Sequence, residues 1–177
     1  SVDSIKFANL NYKRENLSFL LDDVKKLTKI GKKEFDVVVS FETIEHLDTK
    51  GREAFFNNIK KLLKPGGLFM LSTPNKKITS PFSQKPLNKF HVIEFTRDSL
   101  EKELITFFDI SKWYGQRFII NILTLRFVRL LIRAVEKGLR RDFGLYTTFS
   151  APNVLEWNNA YKQPRIMILI SKHKNNV

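Results

Sequence analysis

The 177-residue chain contains no cysteine. Disulfides and thiolate metal sites are therefore excluded, and a reducing compartment fits that composition. Glycine is scarce at seven residues, and no two of them stand in a G-x-G spacing. A glycine-rich turn that lets a ligand approach the main chain closely is thus not among these residues. No apolar run reaches the roughly 18 residues that a membrane-spanning helix needs, and no N-terminal signal peptide is recognisable. Acidic side chains are also few: 18 Asp and Glu against 31 Lys and Arg leave a formal net charge of +13. That excess serves either solubility or an anionic partner: nucleic acid, an anionic membrane or a phosphorylated substrate.

What is present suits one globular domain. Hydrophobic residues make up 42% of the chain, with 16 phenylalanines that predict a Phe-rich core. Asp3 to Arg14 carries Ile5, Phe7, Ala8 and Tyr12 at helical spacing, with Asp3 or Ser4 as cap. Leu17 to Leu21 predicts a short strand ending at Asp22 and Asp23, followed by a Lys-rich connection to Glu34. Asp36 to Phe41 is apolar on consecutive positions, as expected of a strand buried on both faces. Gly51 to Lys64 sets Phe55, Ile59, Leu62 and Leu63 on one helical face, and Pro65-Gly66 breaks it. Leu68 to Ser72 predicts the next buried strand, and the polar stretch from Asn75 to Lys89 a loop or lid.

Further on, Thr96 opens an imperfect capping box with Ser99, and a helix is expected over Arg97 to Phe107. Phe108 to Tyr114 predicts a strand, Arg117 to Arg141 a long helix, Gly144 to Pro164 an irregular segment and Arg165 to Ser171 a final strand. The alternation of strand and helix, with one late strand, implies a parallel α/β sheet with one antiparallel addition.

In such sheets ligands bind beyond the carboxyl ends of the strands. Glu42, Glu45 and His46 stand at one such end, and Ser72, Thr73 and Asn75 at the next. Residues 42, 45 and 46 share a face on a helical turn, and His91 is placed to converge on them. Two carboxylates and two imidazoles suit Mg, Mn or Zn. An imidazole also suits general-base removal of a hydroxyl proton. A third reading is structural, because acidic residues favour a helix N-terminus. His173 lies in a Lys-rich tail and is expected to be inert.

Four segments in order carry a resemblance: NLSFLLDDV, FDVVVSFETIEHL, LLKPGGLFMLSTPN, and NKFHVIEFTRDSLEKEL continuing to YGQ at 114–116. Together they resemble class I S-adenosylmethionine-dependent methyltransferases, in the small-molecule and glycan-modifying branch that includes the ubiquinone-type O-methyltransferases. The match spans about residues 4 to 117. It implies a Rossmann-like α/β sheet, with core segments 1–116 and 165–177 and a helical cap at 117–164. It implies S-adenosylmethionine as cofactor. Asp23 would accept the adenine amino group, with the Val24 amide nearby, while Ser40, Phe41 and Glu42 would line the methionine end. His46, His91 and Glu45 would serve the chemistry. Small-RNA 2′-O-methyltransferases hold a metal with a set similar to Glu42, Glu45, His46 and His91.

The chain also departs from that family. The Gly-rich turn after the first strand and the ribose-binding acid ending the second are not present, and Asp3 sits too late to be that acid. The sequence therefore looks like an N-terminally truncated methyltransferase. The family's strand order is 3-2-1-4-5-7-6, so the third strand would lose its neighbours and Val37-Val38-Val39 would become a bare edge.

The expected activity is methyl transfer to a hydroxyl of a small molecule, sugar or lipid-linked intermediate, entering between segments 75–95 and 117–160. The alternatives are a metal-dependent RNA 2′-O-methyltransferase and a non-catalytic remnant that binds or docks at membranes. Between 117 and 141, seven basic residues face Glu136 alone, beside a broad apolar face. Such a helix suits an anionic membrane interface, a cap over the active site or a dimer contact. A cytoplasmic location, peripheral to the inner face of the membrane, is the matching expectation. With the cofactor turn missing, the 177-residue chain by itself is expected to be inactive. Isothermal titration is expected to show no micromolar binding of S-adenosylmethionine; a micromolar isotherm would sink that expectation.

Overall fold

The computed structural model describes residues 1–31, 35–120, 126–140, 154–158 and 162–174. One sheet holds β1 (Phe35–Phe41), β2 (Leu63–Pro74), β3 (Phe108–Ile120), β4 (Leu155–Glu156) and β5 (Lys162–His173) in the order β1-β2-β5-β3-β4. β1 runs parallel to β2, with Val37 opposite Leu68 and Phe41 opposite Ser72. β5 inserts between β2 and β3 and is antiparallel to both. The run β1-β2-β5-β3 corresponds to positions 4-5-7-6 of the expected order, and the late strand is the reversed one.

A parallel pair needs a crossover, here α2 (Thr49–Leu62). Asp48 starts it by accepting a hydrogen bond from the Gly51 amide at 2.7 Å. Leu63 then turns extended, and Gly66 takes the left-handed φ of 76° that a side chain would resist. The buried face of α2 presents Phe55, Phe56 and Ile59. These meet Phe69 of β2 and Phe108 of β3, with ring centroids of Phe69 and Phe108 5.0 Å apart. The expected Phe-rich core is present. α4 (Arg97–Leu104) begins with the full capping box: the Thr96 hydroxyl accepts from the Ser99 amide, and the Ser99 hydroxyl from the Thr96 amide. Its Arg97 lies between Trp113 and Trp157, about 5 Å from each ring centre. Trp157 is further tied to the sheet by its amide, which donates to the Trp113 carbonyl at 2.8 Å.

Three expectations need correction. Leu17 to Leu21 is not a strand; its neighbourhood holds only an isolated bridge between Arg14 and Leu17. An apolar run becomes a strand only where a partner supplies the ladder, and none of the described strands lies beside it. β1 is not buried on both faces: Val37 and Val39 are 44% and 49% exposed. It is the sheet's edge, as the truncated strand order implied, so its apolar pattern records what it can bury rather than what covers it. Finally, residues 117–120 extend β3, with Phe118 opposite Pro164, instead of opening a helix. β5 supplies hydrogen bonds that local periodicity cannot foresee. The helix α5 spans Arg126–Leu139, preceded by the short α1 (Val2–Asn11) and α3 (Lys76–Thr79) earlier in the chain. Residues 121–125 and Arg141 of the expected long helix lie outside the described residues.

The β3–β5 seam is tight at Gly115. A Cβ there would stand 2.3 Å from the Pro164 Cβ, so only glycine lets the two strands close.

Candidate active site

The carboxyl ends of β1 and β2 are locked together by Ser72 and Thr73. Glu42 follows β1 in a left-handed conformation, φ 50°, uncommon for a residue with a side chain. Ser72 holds it there twice. The Glu42 amide donates to the Ser72 carbonyl at 3.1 Å, and the Ser72 hydroxyl donates to Glu42 Oε1 at 2.8 Å. Strain of this kind persists where surrounding bonds over-determine it, and it clusters at working sites.

A single 3-10 turn, Ile44–His46, comes next. Glu45 is fully buried. Its Oε2 accepts the Thr73 hydroxyl at 3.0 Å, while Oε1 has no partner among the described residues. Burial pushes this carboxyl above the ordinary range, and the nearby Glu42 charge adds to that. The Glu45 carbonyl also accepts the amides of Val92 and Ile93, so it ties the 80–95 segment to the site.

The two histidines meet edge to face, ring centres 5.1 Å apart. His46 Nδ1 lies 2.9 Å from the Phe90 carbonyl, which can only accept. Nδ1 therefore carries the proton, and Nε2 of the neutral ring is left with its lone pair. His91 is engaged at both nitrogens. Its Nδ1 donates to Glu94 Oε1 at 2.9 Å, and its Nε2 accepts from the Asn88 amide nitrogen at 2.9 Å. The Asn88 orientation is set by its oxygen, which accepts the Phe90 amide. Burial alone would raise the Glu94 carboxyl, but hydrogen bonds from Ser80, Thr79 and His91 outweigh it and hold the group below its usual value.

One donor atom from each of Glu45, His46 and His91 falls within 4.8 Å of the others. Glu42 is not in that group. These three could hold a divalent cation if His91 released Asn88, and the unpartnered Glu45 oxygen is the atom that such an ion would satisfy.

Beside the histidines lies a cleft of about 980 Å³. Glu42, His91 and Glu94 line it, together with Ile78, Phe82 and Leu87 of the 75–95 segment. Leu130 and Arg133 of α5 and Arg165 at the start of β5 complete the wall. The cleft therefore sits beyond the carboxyl ends of β1 and β2, where an open α/β sheet binds ligands.

Residues 1–71 match a family model described as "Methyltransferase domain". A probable S-adenosylmethionine-dependent methyltransferase of Mycolicibacterium smegmatis is 42% identical over 71 residues, which are 40% of this chain and 27% of that protein. The mitochondrial ubiquinone biosynthesis O-methyltransferase of Dictyostelium discoideum is 30% identical over 112 residues, 57% of this chain and 33% of that protein. Among solved structures, a SAM-dependent methyltransferase from Archaeoglobus fulgidus superposes with a TM-score of 0.58 at 17% identity, covering 97% of this chain and 72% of that one. One from Mesorhizobium loti gives 0.55 at 14% identity, covering 98% and 77%. The chain is thus similar to S-adenosylmethionine-dependent methyltransferases in sequence over residues 1–71 and in fold over nearly its whole length. It spans between a quarter and a third of the length of the curated relatives it matches.

The proposed residues fall into two groups. Glu42 and His91 line the cleft, and Glu45 and His46 stand beside His91 without lining it. Asp23, Val24, Ser40 and Phe41 do not line it. Asp23 is exposed, and its Oδ1 accepts the Lys25 amide of its own loop. Its neighbour Asp22 is the loop's organiser: the Lys29 amide, with the Asp23 amide and the Thr28 hydroxyl, lowers its carboxyl below the usual value against the opposing effect of desolvation. Val24 packs on the core and its carbonyl accepts from Asn58. Ser40 is buried within β1 and Phe41 is exposed at its end.

Sequence reasoning missed Glu94, Asn88, Arg133 and Arg165 as lining groups. The spacing of His91 and Glu94, three apart, was the available signal for the first.

Glu45 yields a test. Its folded-state carboxyl is raised, so the folded protein binds the proton more readily than the unfolded chain. Stability from this group is present at low pH and declines as pH rises from the unfolded value through the higher folded one. Glu45→Gln is therefore expected to raise Tm at pH 8 in EDTA and to leave it unchanged at pH 4. A lower Tm at pH 8 would contradict the reading.

Proposed function

We propose that the protein transfers a methyl group from S-adenosylmethionine to a hydroxyl of a small-molecule, sugar or lipid-linked acceptor. The observation that carries this reading is His46: its Nδ1 proton is committed to the Phe90 carbonyl, so Nε2 is left as a base on a ring packed against His91, which lines the cleft. S-adenosylmethionine, when bound, supplies an electrophilic methyl carbon on a sulfonium. The residues of this chain then do three things. His46 Nε2 takes the acceptor's hydroxyl proton. Glu42, fixed by Ser72, sets a carboxylate at the end of β1 that favours positive charge nearby. The 75–95 segment and α5 wall the cleft against water and align the acceptor.

A second reading has one observation in its favour. Glu45 keeps a buried oxygen without a partner beside His46 and His91. A divalent cation there would bind the acceptor oxygen and lower its proton affinity, as in the RNA 2′-O-methyltransferase alternative. One assay separates the two. In the native polypeptide with methyl-labelled S-adenosylmethionine, His46→Ala is expected to reduce kcat about 10²–10⁴-fold, and EDTA to leave the wild type active. Loss of activity in EDTA, restored by Mg or Mn, would favour the metal reading. Full activity of His46→Ala would remove both.

Membrane contact is the proposed partner interaction. Phe127, Leu131 and Leu139 of α5 are 69%, 57% and 63% exposed. Arg133 and Lys137 occupy the opposite side of the helix at 3.6-residue spacing. An exposed apolar stripe with basic residues fits an anionic lipid surface, and a lipid-linked acceptor would be within its reach. No described helix is long and apolar enough to cross a membrane. The protein is expected to sediment with vesicles containing phosphatidylserine and not with neutral ones, and Phe127→Ser with Leu131→Ser to abolish that. Equal sedimentation of the double variant would rule out α5 docking.

A further inference from the structure

We infer that the acceptor carries an anionic oxygen group on an apolar body, and that Arg133 and Arg165 bind that group. The inference rests on the methyl-transfer reading above and names the class of acceptor.

Arg133 and Arg165 line the same cleft. Neither forms an ion pair among the described residues. They come from separate elements, α5 and β5, so their sharing one cleft is tertiary. Arg165 is anchored at its backbone, where its carbonyl accepts the buried Asn75 amide at 2.9 Å. Guanidinium forks match phosphate and carboxylate oxygens and bind them by charge-assisted hydrogen bonds.

The carboxylates of the cleft do not oppose this. Glu94 is held by Thr79 and His91, and Glu42 by Ser72. Glu42 is also distant. It follows Phe41 and stands level with Thr73 of β2, whereas Arg165 stands level with Asn75 and one strand further on. Two strand spacings sideways and two residues along place their backbones about 12 Å apart. The Glu42 and Arg165 backbones thus stand at separate places along the cleft. Ile78, Phe82, Leu87 and Leu130 supply the apolar wall. A hydroxyl near Glu42, an anionic group near the arginines and an apolar body against the wall describe the ligand that these surfaces complement. Binding energy from such a remote group serves to position the reacting hydroxyl.

The test uses the native polypeptide and three probes: octyl phosphate, 1-octanol and inorganic phosphate, followed by calorimetry. Octyl phosphate is expected to bind at least about tenfold tighter than either other probe, since the site reads both parts of the ligand. Arg133→Gln with Arg165→Gln is expected to erase the preference over octanol. Lys61→Gln, on α2 and outside the cleft, is expected to retain it. Equal affinity for octanol and octyl phosphate, or a preference that survives in the double variant or is lost in Lys61→Gln, would overturn the site. Inorganic phosphate binding as tightly as octyl phosphate would overturn the apolar part of the assignment. Methyl transfer assayed in parallel keeps the two conclusions apart. An intact preference without methyl transfer supports the anion site and removes the enzymatic reading, whereas methyl transfer without the preference removes the site alone.

Discussion

Everything near the candidate site depends on β2 being paired along both of its edges. Parallel β1 and antiparallel β5 flank it, so its register is set from two sides. A strand fixed in this way cannot slide without turning its side chains to the other face. Its inner face places Phe69 and Leu71 in the core. Its carboxyl end then delivers Ser72, Thr73 and Asn75 in fixed positions. Ser72 imposes the left-handed Glu42, Thr73 partners Glu45, and Asn75 caps α3 while its side-chain amide donates to the Pro164 carbonyl. The apolar core and the polar site are thus two ends of one constraint.

The polar network beyond β2 divides its members unequally. His91 and Glu94 complete each other's hydrogen bonds with Thr79 and Asn88, which makes them a support that holds the 75–95 segment in place. His46 and Glu45 are less satisfied. Among the described residues, His46 Nε2 and the buried Glu45 Oε1 have no hydrogen-bond partner. Buried polar atoms are nearly always paired, so an exception such as Glu45 Oε1 invites a chemical explanation. The imidazole and the carboxyl are the groups that a base or a cation would use.

The chain was legible where the physics is local. The Thr96–Ser99 pair announced a helix start because capping involves neighbours three residues apart. Phe55, Ile59 and Leu62 announced the buried face of α2 by their spacing. Failures came where a distant partner decides. Leu17–Leu21 has strand composition and no described strand beside it, and the apolar run of β1 reads as doubly buried although only the strand order reveals its edge position. Residues 117–120 have helical periodicity and are drawn into β3 by ladder bonds to residues 162–164.

The sequence by itself determined the methyltransferase resemblance and the acidic-histidine cluster. Motif order along the chain is a one-dimensional property, and strand-end positions follow from it. Only the tertiary structure decided which of those groups are engaged, and it brought in Arg133 and Arg165, which lie 32 positions apart in the chain. Hydrogen-bond partnership and convergence on one cleft depend on distances in space, and those are set by how β5 returns between β2 and β3.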